Sequence, residues 1–551
     1  MYPTVLANLV GSNPAEPHLK AWAPGPYVRV LRADAHPQEN DDAVATLLGY
    51  PGGHASGQVA VRVVGEVPAL RVGVAGLRGT DGKAFGGRLR LRYPSYVSLE
   101  GGYPDMPDPL PAQLPTCALN NQAQPVWLTA EIPADTEPGV YMGAARFSAS
   151  GCASAVVPIR LEVVGAPIPQ RYSFYLDVWQ HPASIAAHDS RPLWSPEHWR
   201  LIRAYARDLA SRGQKPITAC IIRDPWDSQT AVPHASMVEW RGDGERFTWD
   251  YSVLDRYVKT CTKEGLTGPV NCYSMVLGPG SRRDCVIWYT DSATGEERSA
   301  KIAVGEERFA RVWSAFLRDF AQHMKRMGWL GRTNIAFDER PPDVMEELFR
   351  LVKEHGGGLG TALAGEYSPW FSEVVDDYSV IAPGPPPDAC DERRLRGRTT
   401  TFYVCCGPPR PNTFVHSPPI EARLLPWVAF ARRADGLLRW AYQSWPTDPW
   451  RRPDHRYPDW PAGDTFLVYP GPRGPVSSIR WEMLRDGVQD YELFGMLERA
   501  ALGRPTAEAD AALSRVRQIG EEAAHGRIAE PKVVDAARRA AALALQAIVG
   551  A

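Results

Sequence analysis

The sequence predicts a mixed α/β fold, in which a (β/α)8 TIM-like barrel is preceded by an antiparallel β-sandwich and followed by a C-terminal helical segment. Three observations support this prediction. Short runs of alternating apolar residues fill 1–165, strand-like runs alternate with amphipathic helical patterns over 171–476, and helical patterns alone continue over 477–551. We expect one domain from each of these three ranges.

The N-terminal domain is predicted from period-two alternation. Its clearest strand-like runs are 58–64, 88–92, 126–132 and 157–163, and 133–143 has the composition of a turn that leads into a further strand. Such runs with turns between them are typical of an antiparallel sandwich. The segment 165–170 contains two prolines and is expected to be a stiff linker.

The barrel is predicted from eight strand-like runs spread over about 270 residues, the strand number and length of a (β/α)8 barrel. The runs are 174–179, 217–222, 269–273, 333–337, 359–363, 378–381, 400–405 and 437–442. Helix signals lie between them, such as Ser195 as an N-cap before Pro196 and Gly213 past the helix end. One face of a later long helix is marked by Phe309, Val312, Trp313, Phe316, Phe320 and Met324.

Composition argues against several classes of function. The chain has 61 Lys+Arg against 63 Asp+Glu, a net charge of −2, so nothing favours nucleic acid or an anionic membrane as a partner. No apolar run reaches the ~18 residues that a membrane-spanning helix needs. No secretory signal is visible, so a cytoplasmic location is the default expectation, although a trimmed secreted form would read the same way. Nine cysteines fit scattered reduced thiols better than a disulfide framework.

The most informative motif is the pair Asp338-Glu339, which ends the fourth predicted strand before Pro341-Pro342. Active sites of barrels lie at the carboxyl ends of their strands. Two carboxylates there suit cleavage of a glycosidic bond, because one gives a proton while the other stabilises developing positive charge. Neighbouring strand residues point to opposite faces, so both carboxylates reach the site only if the strand ends between them. The structural alternative is a pair bridged to Arg340, or an acid that caps the next helix.

Aromatic side chains collect at the same strand ends and together predict an aromatic-walled cup suited to the apolar faces of sugars. They are Trp179, Trp226, Tyr273, Tyr403, Trp440, Tyr442 and Trp445, with His181 close to Trp179. The candidate substrate-binding residues are Trp179, His181, Tyr273, Tyr403, Trp440, Tyr442 and Trp445. Taken singly, each of them favours packing over substrate contact. No metal-ligand spacing is present, so no metal or other cofactor is predicted.

Three other motifs are interpreted as structural. The glycine-rich segment 356–360 follows a helix and precedes a strand, the reverse of a phosphate-binding loop, and is expected to stop the helix. The basic cluster 393–398 is expected to be solvated surface. Cys405-Cys406 lies in an apolar run and is expected to be core, not a metal site.

Several stretches are similar to the catalytic domain of glycoside hydrolase family 123, the β-N-acetylgalactosaminidases. They are 176–182, 337–339, 402–406, 410–414, 436–442, 463–471 and 478–492. The resemblance implies a retaining, substrate-assisted mechanism, in which the 2-acetamido oxygen of the substrate attacks the anomeric carbon. It implies that Asp338 orients the acetamido group and that Glu339 protonates the leaving oxygen and then activates water. An acid so placed is expected to have a raised pKa.

The sequence thus predicts an exo-acting glycosidase that releases terminal β-linked N-acetylgalactosamine from an oligosaccharide or glycoconjugate. Tyr403, Trp440 and Tyr442 are the candidates to enclose the acetamido group. Two alternatives remain open. One is a glycosidase for another sugar with a separate carboxylate nucleophile, such as Glu366 or Glu421. The other is a non-catalytic glycan-binding protein.

Overall fold

The computed structural model describes residues 17–35, 43–114, 119–278, 283–456 and 459–550. By their internal contacts they form two compact units, the chain up to Ser95 with Leu110–Val164, and Tyr96–Pro109 with the chain from Gly165 onward. The domain boundaries expected from the sequence stay predictions. Within the described ranges, every helix is too short or too polar to cross a membrane.

The region before residue 165 is rich in β-strands. They are β1 (His18–Trp22), β2 (Ala45–Gly49), β3 (His54–Val64), β4 (Glu66–Val67), β5 (Leu70–Gly79), β6 (Arg88–Arg92), β7 (Tyr96–Val97), β8 (Met106–Pro107), β9 (Leu119–Asn120), β10 (Ala123–Glu131), β11 (Gly139–Ala149) and β12 (Ala155–Val163).

Two four-stranded sheets dominate this region, in the orders β1-β3-β10-β6 and β2-β12-β11-β5. Alternate residues of both sheets, among them Val59, Val126, Phe147 and Leu161, are buried in one hydrophobic cluster. The predicted β structure is confirmed. One detail of the expectation is wrong, because β2 pairs with β12 in parallel. Period-two alternation reports which face is buried and carries no information on strand direction.

The rest of the chain alternates strands and helices. The elements are β13 (Tyr175–Val178), α1 (Pro182–His188), α2 (Pro196–Ser211), β14 (Ile217–Cys220), β15 (Glu239–Gly242), β16 (Phe247–Asp250), α3 (Ser252–Lys263), β17 (Val270–Tyr273), β18 (Asp284–Asp291), β19 (Glu297–Ala303), α4 (Glu307–Arg326), β20 (Thr333–Asp338), α5 (Pro342–His355), β21 (Gly360–Gly365), α6 (Pro369–Val374), β22 (Asp377–Ile381), α7 (Pro387–Leu395), β23 (Thr399–Tyr403), α8 (Pro419–Ala431), β24 (Gly436–Arg439), β25 (His455–Arg456), β26 (Asp459–Trp460), α9 (Ile479–Gly503), α10 (Ala507–Ala524) and α11 (Pro531–Val549).

Eight of these strands form one curled, TIM-like parallel sheet in the order β13-β24-β23-β22-β21-β20-β17-β14. The two ends of the sheet meet through a single parallel bridge between Leu176 and Gln214. The Gln214 side chain extends this contact, accepting a hydrogen bond from the Val178 amide at 2.8 Å. Each of the eight predicted strand-like runs lies on one of these strands. All of their carboxyl ends therefore meet at one edge of the sheet.

Helix boundaries follow the local signals. The Ser195 side chain accepts from the His198 amide at the start of α2, and Gly213 adopts a φ of +90° just past its end. The apolar face predicted for α4 is buried along its length. Helix α5 ends at His355 with Gly356 as its C-cap, so the interpretation of 356–360 as a helix stop is confirmed.

A second small sheet was not expected from the sequence. Strands β15, β16, β18 and β19 lie in the connections that follow β14 and β17, and they pair in the order β16-β15-β18-β19. Trp240 of β15 packs on Phe316 of α4 with ring centroids 5.0 Å apart, which attaches this sheet to the outer helices. β15 and β16 have four residues each, too few for alternation to distinguish them from a loop.

The predicted C-terminal helical segment is confirmed and consists of three helices, α9, α10 and α11. The first, α9, is buried over most of its length even though it carries many charges. Its Arg480 donates through Nε to both carboxylate oxygens of Asp108, at 3.1 and 3.0 Å.

The prediction that 393–398 is solvated surface is wrong for Arg393, which is buried and donates to main-chain carbonyls of Val375 and Thr399. Its Nε also donates to the Thr400 hydroxyl at 2.7 Å, so neutral oxygens satisfy several of the five guanidinium donors.

Candidate active site

The backbone changes direction between the two candidate carboxylates. Strand β20 ends at Asp338, and Glu339 adopts a left-handed φ of +47°, rare for a residue with a side chain. The Glu339 amide still donates to the Ala364 carbonyl of the adjacent strand at 2.8 Å. The expectation that the strand ends between the two acids is confirmed. The alternation of a regular strand therefore does not force these side chains to opposite faces.

Asp338 is the inner carboxylate of the pair. It is half-buried, and its Oδ2 accepts a hydrogen bond from the indole Nε1 of Trp226 at 3.0 Å. Burial, followed by the negative charge of Glu339, raises the pKa of Asp338 to about 7. The positive charge of Arg340 and the indole hydrogen bond act in the opposite direction. Asp338 therefore titrates near neutral pH in the free protein.

Three aromatic rings form a buried wall beside Asp338. The ring centroids of Trp179 and Trp226 lie 5.1 Å apart, and each of these rings lies 4.8 Å from Tyr273. They come from the carboxyl ends of β13 and β17 and from the loop after β14. Such a wall excludes water from one side of the Asp338 carboxylate and offers an apolar surface to a bound group.

Glu339 is the outer carboxylate. It is exposed, and its Oε1 accepts a hydrogen bond from the Tyr403 hydroxyl at 2.8 Å. Burial and the two carboxylates raise the pKa of Tyr403 well above its ordinary value, so the phenol stays protonated and remains a donor. Tyr403 is the last residue of β23, so the contact joins two strands that are not neighbours in the sheet.

The structural alternatives for the pair find little support. The Arg340 guanidinium donates to the main-chain carbonyls of Asp338 and Leu277. Helix α5 begins after Pro341 at its N-cap, with no side-chain cap. Neither acid caps the helix, and both carboxylates are hydrogen-bonded to aromatic residues that face the same edge of the sheet.

The remaining aromatic candidates divide into two groups. Trp440 packs against the cluster that contains Trp179, Tyr273 and Tyr403. Tyr442 and Trp445 do not join it, because their rings pack at the outer helices. The Tyr442 hydroxyl donates to Asp208 of α2 at 2.5 Å, and the Trp445 indole donates to the Val468 carbonyl at 2.7 Å.

His181 lies behind the aromatic wall. Its buried ring stacks on His234 at a centroid distance of 3.4 Å, and its Nδ1 lies 2.9 Å from the Ser444 hydroxyl. Burial lowers the pKa of His181 to about 3, so the ring is neutral at neutral pH. His234 in turn lies 4.6 Å from Trp226. His181 therefore supports the wall through His234.

Two residues of the site escaped the sequence-based set. Trp226 was noted among the strand-end aromatics but was not chosen as a substrate-binding candidate, although it holds Asp338. His234 gives no local signal, because it lies in a loop with no strand or helix pattern around it. The hydrogen bond from Trp226 to Asp338 and the stacking of His181 on His234 each join segments that are remote in sequence.

Glu366 and Glu421 were the alternative nucleophiles. Glu421 is buried and fully engaged, since it accepts from Arg410 at 2.6 Å and from the Asn412 amide at 3.0 Å. Glu366 is exposed just after β21, at the same edge as the pair. The geometry therefore leaves Glu366 as the stronger of these two alternatives.

The cysteines near the site differ from expectation. Cys405 is half-buried and Cys406 is exposed, beyond the end of β23, so the prediction of a core pair is wrong. The eight cysteines within the described ranges are free thiols. Those ranges contain no group of three or more His, Cys, Asp or Glu residues arranged to hold a metal ion.

A carboxylate pair and an aromatic wall at the carboxyl edge of a TIM-like sheet are features of a glycoside hydrolase. The family model described as glycoside hydrolase 123, catalytic domain, matches residues 179–497. The chain therefore belongs to glycoside hydrolase family 123, which confirms the resemblance found in the sequence.

The chain was also compared with solved structures. A family 123 glycoside hydrolase from Clostridium perfringens, described for glycolipid glycan hydrolysis, is similar over 97% of this chain and 98% of its own, with a TM-score of 0.82 and 20% identity. A putative glycoside hydrolase from Bacteroides vulgatus matches 80% of this chain and 79% of its own, with a TM-score of 0.31 and 10% identity. No curated protein matches the chain. The first likeness shows a shared fold.

Proposed function

We propose that this glycoside hydrolase releases terminal β-linked N-acetylgalactosamine from an oligosaccharide or glycoconjugate, with retention of configuration. The acetamido oxygen of the substrate acts as the nucleophile, so the protein supplies no covalent partner. The glycolipid glycans named for the Clostridium perfringens relative support this substrate class.

Two observations also support the finer features of the fold that we propose. The bridge between Leu176 and Gln214 supports closure of the sheet into a (β/α)8 barrel, and the shared core of the N-terminal sheets supports a β-sandwich.

One observation carries the proposal: two consecutive carboxylates occupy contrasting environments at the same edge of the sheet. Asp338 is held by Trp226 against the aromatic wall, whereas Glu339 is exposed and held by Tyr403. Two carboxylates with different surroundings are suited to different roles in the cleavage of a glycosidic bond. This contrast supports an acetamido-binding role for the inner Asp338 and a proton-transfer role for the outer Glu339.

Asp338 orients the acetamido group in this proposal. The amide N–H of the bound sugar donates to its free carboxylate oxygen, which favours the ionised form of Asp338. The acetamido methyl packs on the wall formed by Trp179, Trp226 and Tyr273. Positive charge that develops on the oxazolinium intermediate is then stabilised by the adjacent carboxylate.

Glu339 transfers the proton. Its exposed carboxyl group protonates the glycosidic oxygen as the bond to the anomeric carbon breaks, and the resulting carboxylate then removes a proton from the attacking water. The Tyr403 hydroxyl fixes the side chain during both steps, because its pKa keeps it a donor. The exposed position suits a leaving group that must depart into solvent.

The test is a panel of 4-nitrophenyl β-glycosides with and without the 2-acetamido group, assayed with the wild type, Asp338→Asn and Glu366→Gln. We expect turnover of the acetamido sugars alone, a loss of about 10²-fold or more in Asp338→Asn, and little change in Glu366→Gln. Faster turnover of the sugars without an acetamido group, with activity lost in Glu366→Gln, would favour a glycosidase with a separate nucleophile. No turnover of any glycoside would favour a glycan-binding protein.

A further inference from the structure

A cavity lies beside the candidate active site, at the same edge of the sheet. It has a volume of about 400 Å³, within the usual range for small-ligand sites, and is lined by Trp194, Arg223, His234, Met237, Trp288 and Glu297 among others. Neither candidate catalytic carboxylate lines it. It is therefore a separate cleft.

The position of this cleft follows from the topology. Arg223 and His234 lie in the connection after β14, and Trp288 lies on β18 in the connection after β17. Trp194 directly precedes Ser195, the N-cap of α2, a helix that returns the chain from the carboxyl edge to the start of β14. All four residues therefore belong to segments that follow strand ends, at the edge that carries Asp338 and Glu339.

The lining has the chemistry of a sugar subsite. Trp288 is 40% exposed and is the one tryptophan among the exposed large hydrophobic side chains in the described part of the chain. The Arg223 guanidinium lies 4.6 Å from the centroid of the Trp288 ring and also contacts Glu297, with N–O distances of 2.7 and 3.1 Å. An exposed indole can stack on the C–H face of a pyranose, and a charged pair beside it can bind its hydroxyl groups.

The side chain of Trp194 is held in a fixed position, as expected for a residue of a binding site. This residue adopts a φ of +62°, a rare conformation for a bulky side chain, and its amide donates to Nδ1 of His198 at 2.9 Å. Its ring packs on Trp199 at 5.3 Å, so the indole is fixed in place. Strained backbone held by its surroundings tends to cluster at ligand-binding positions.

The cleft also adjoins the catalytic site. His234 lines the cleft, and its ring lies 4.6 Å from Trp226, the residue that donates to Asp338. The cleft and the carboxylate pair therefore share one group of packed aromatic rings. If the enzyme removes a terminal sugar, every further sugar of the substrate belongs to the leaving group.

We propose that this cleft binds a sugar residue of the leaving group, with Trp288 as the stacking surface and Arg223 with Glu297 as the hydroxyl-binding pair. This inference rests on the proposed function, because it assigns the leaving-group side of that substrate. It makes the enzyme selective for extended glycans over simple aryl glycosides.

The experiment compares Trp288→Ala, Trp288→Phe and the wild type on two substrates. One is a tetrasaccharide that ends in β-linked N-acetylgalactosamine, and the other is 4-nitrophenyl N-acetyl-β-galactosaminide. The matched control is Trp329→Ala, because Trp329 is a partly buried tryptophan between α4 and β20, at the opposite edge of the sheet. A direct titration of the released trisaccharide against the wild type and Trp288→Ala accompanies the kinetics.

We expect Trp288→Ala to raise KM for the tetrasaccharide about tenfold with kcat nearly unchanged, and to leave the aryl glycoside unaffected. Trp288→Phe should recover most of the loss, and Trp329→Ala should show none of this selectivity. Equal losses on both substrates, or no loss on either, overturn the inference. If the wild type cleaves neither substrate, the proposed function fails, and the titration alone decides whether the cleft binds sugar: binding that Trp288→Ala abolishes supports it, and any other result overturns it.

Discussion

The hydrogen bond from Trp226 to Asp338 should determine how kcat/KM depends on pH. Trp226→Phe removes the indole donor that lies 3.0 Å from Oδ2 and keeps an aromatic ring in the wall. Asp338 must be ionised to accept the acetamido N–H, so kcat/KM falls as the pH drops below the pKa of Asp338, which is about 7 in the free protein. The hydrogen bond stabilises the ionised form and lowers this pKa. Removal of this hydrogen bond therefore raises the pKa of Asp338 and moves the acidic limb of the kcat/KM profile to higher pH.

The size of the shift can be estimated from the bond. A hydrogen bond to a charged group contributes about 1.5–3 kcal/mol, and each pKa unit corresponds to about 1.4 kcal/mol. The pKa of Asp338 should therefore rise by about one to two units, which lowers kcat/KM at pH 6 by about 10- to 100-fold. Above about pH 9 the variant should recover most of the wild-type kcat/KM, because Asp338 is then ionised in both proteins.

The assay is the pH profile of kcat/KM on 4-nitrophenyl N-acetyl-β-galactosaminide, for the wild type, Trp226→Phe and Trp179→Phe. Trp179 packs on Trp226 at 5.1 Å but does not take part in the hydrogen bond to Asp338, so its variant is the matched control for lost packing. An acid limb that stays in place in Trp226→Phe, or a loss of equal size at every pH, would refute the reasoning.

Two further predictions follow from the same pair. Glu339→Gln should lower kcat/KM on an oligosaccharide by about 10²- to 10⁴-fold. The loss should be much smaller on a dinitrophenyl glycoside, because its leaving group needs no proton. Equal losses on the two substrates would contradict the acid role of Glu339. Asp338→Asn should raise the free energy of unfolding at pH 8 by up to about 4 kcal/mol, because the folded and unfolded states differ by about three pKa units at ~1.4 kcal/mol each; urea denaturation measures it. Because the folded-state pKa is raised, the native protein binds more protons than the unfolded chain between about pH 4 and 7, so wild-type stability falls over that window and the gain should vanish near pH 4.

Much of the catalytic sheet could be predicted because its strands are apolar runs closed by local signals. The turn at Asp338-Glu339 is a clear case, since Pro341 and Pro342 require the chain to leave the strand. The small sheet formed by β15, β16, β18 and β19 was missed for two reasons. β15 and β16 have only four residues each, and α3 separates them in sequence from β18 and β19. Local pattern identifies elements better than it identifies their partners.

The site was harder to predict than the sheet because its contacts join remote loops. Trp440, Tyr442 and Trp445 carry the same sequence signal, yet Trp440 alone joins the aromatic cluster. The strand ends at Arg439, and beyond it period-two alternation no longer determines where a side chain points. The hydrogen bond from Trp226 to Asp338 spans 112 residues and could not be inferred from spacing.

The most direct test of the account is inhibition by a thiazoline derived from N-acetylgalactosamine, which mimics the oxazolinium intermediate. Analogues of such high-energy species bind about 10²-fold or more tightly than the substrate when the enzyme stabilises them. We predict tight competitive inhibition of the wild type, weakened at least tenfold in Asp338→Asn. An inhibition constant no lower than the KM of the substrate, or one unchanged in Asp338→Asn, would contradict attack by the acetamido group of the sugar.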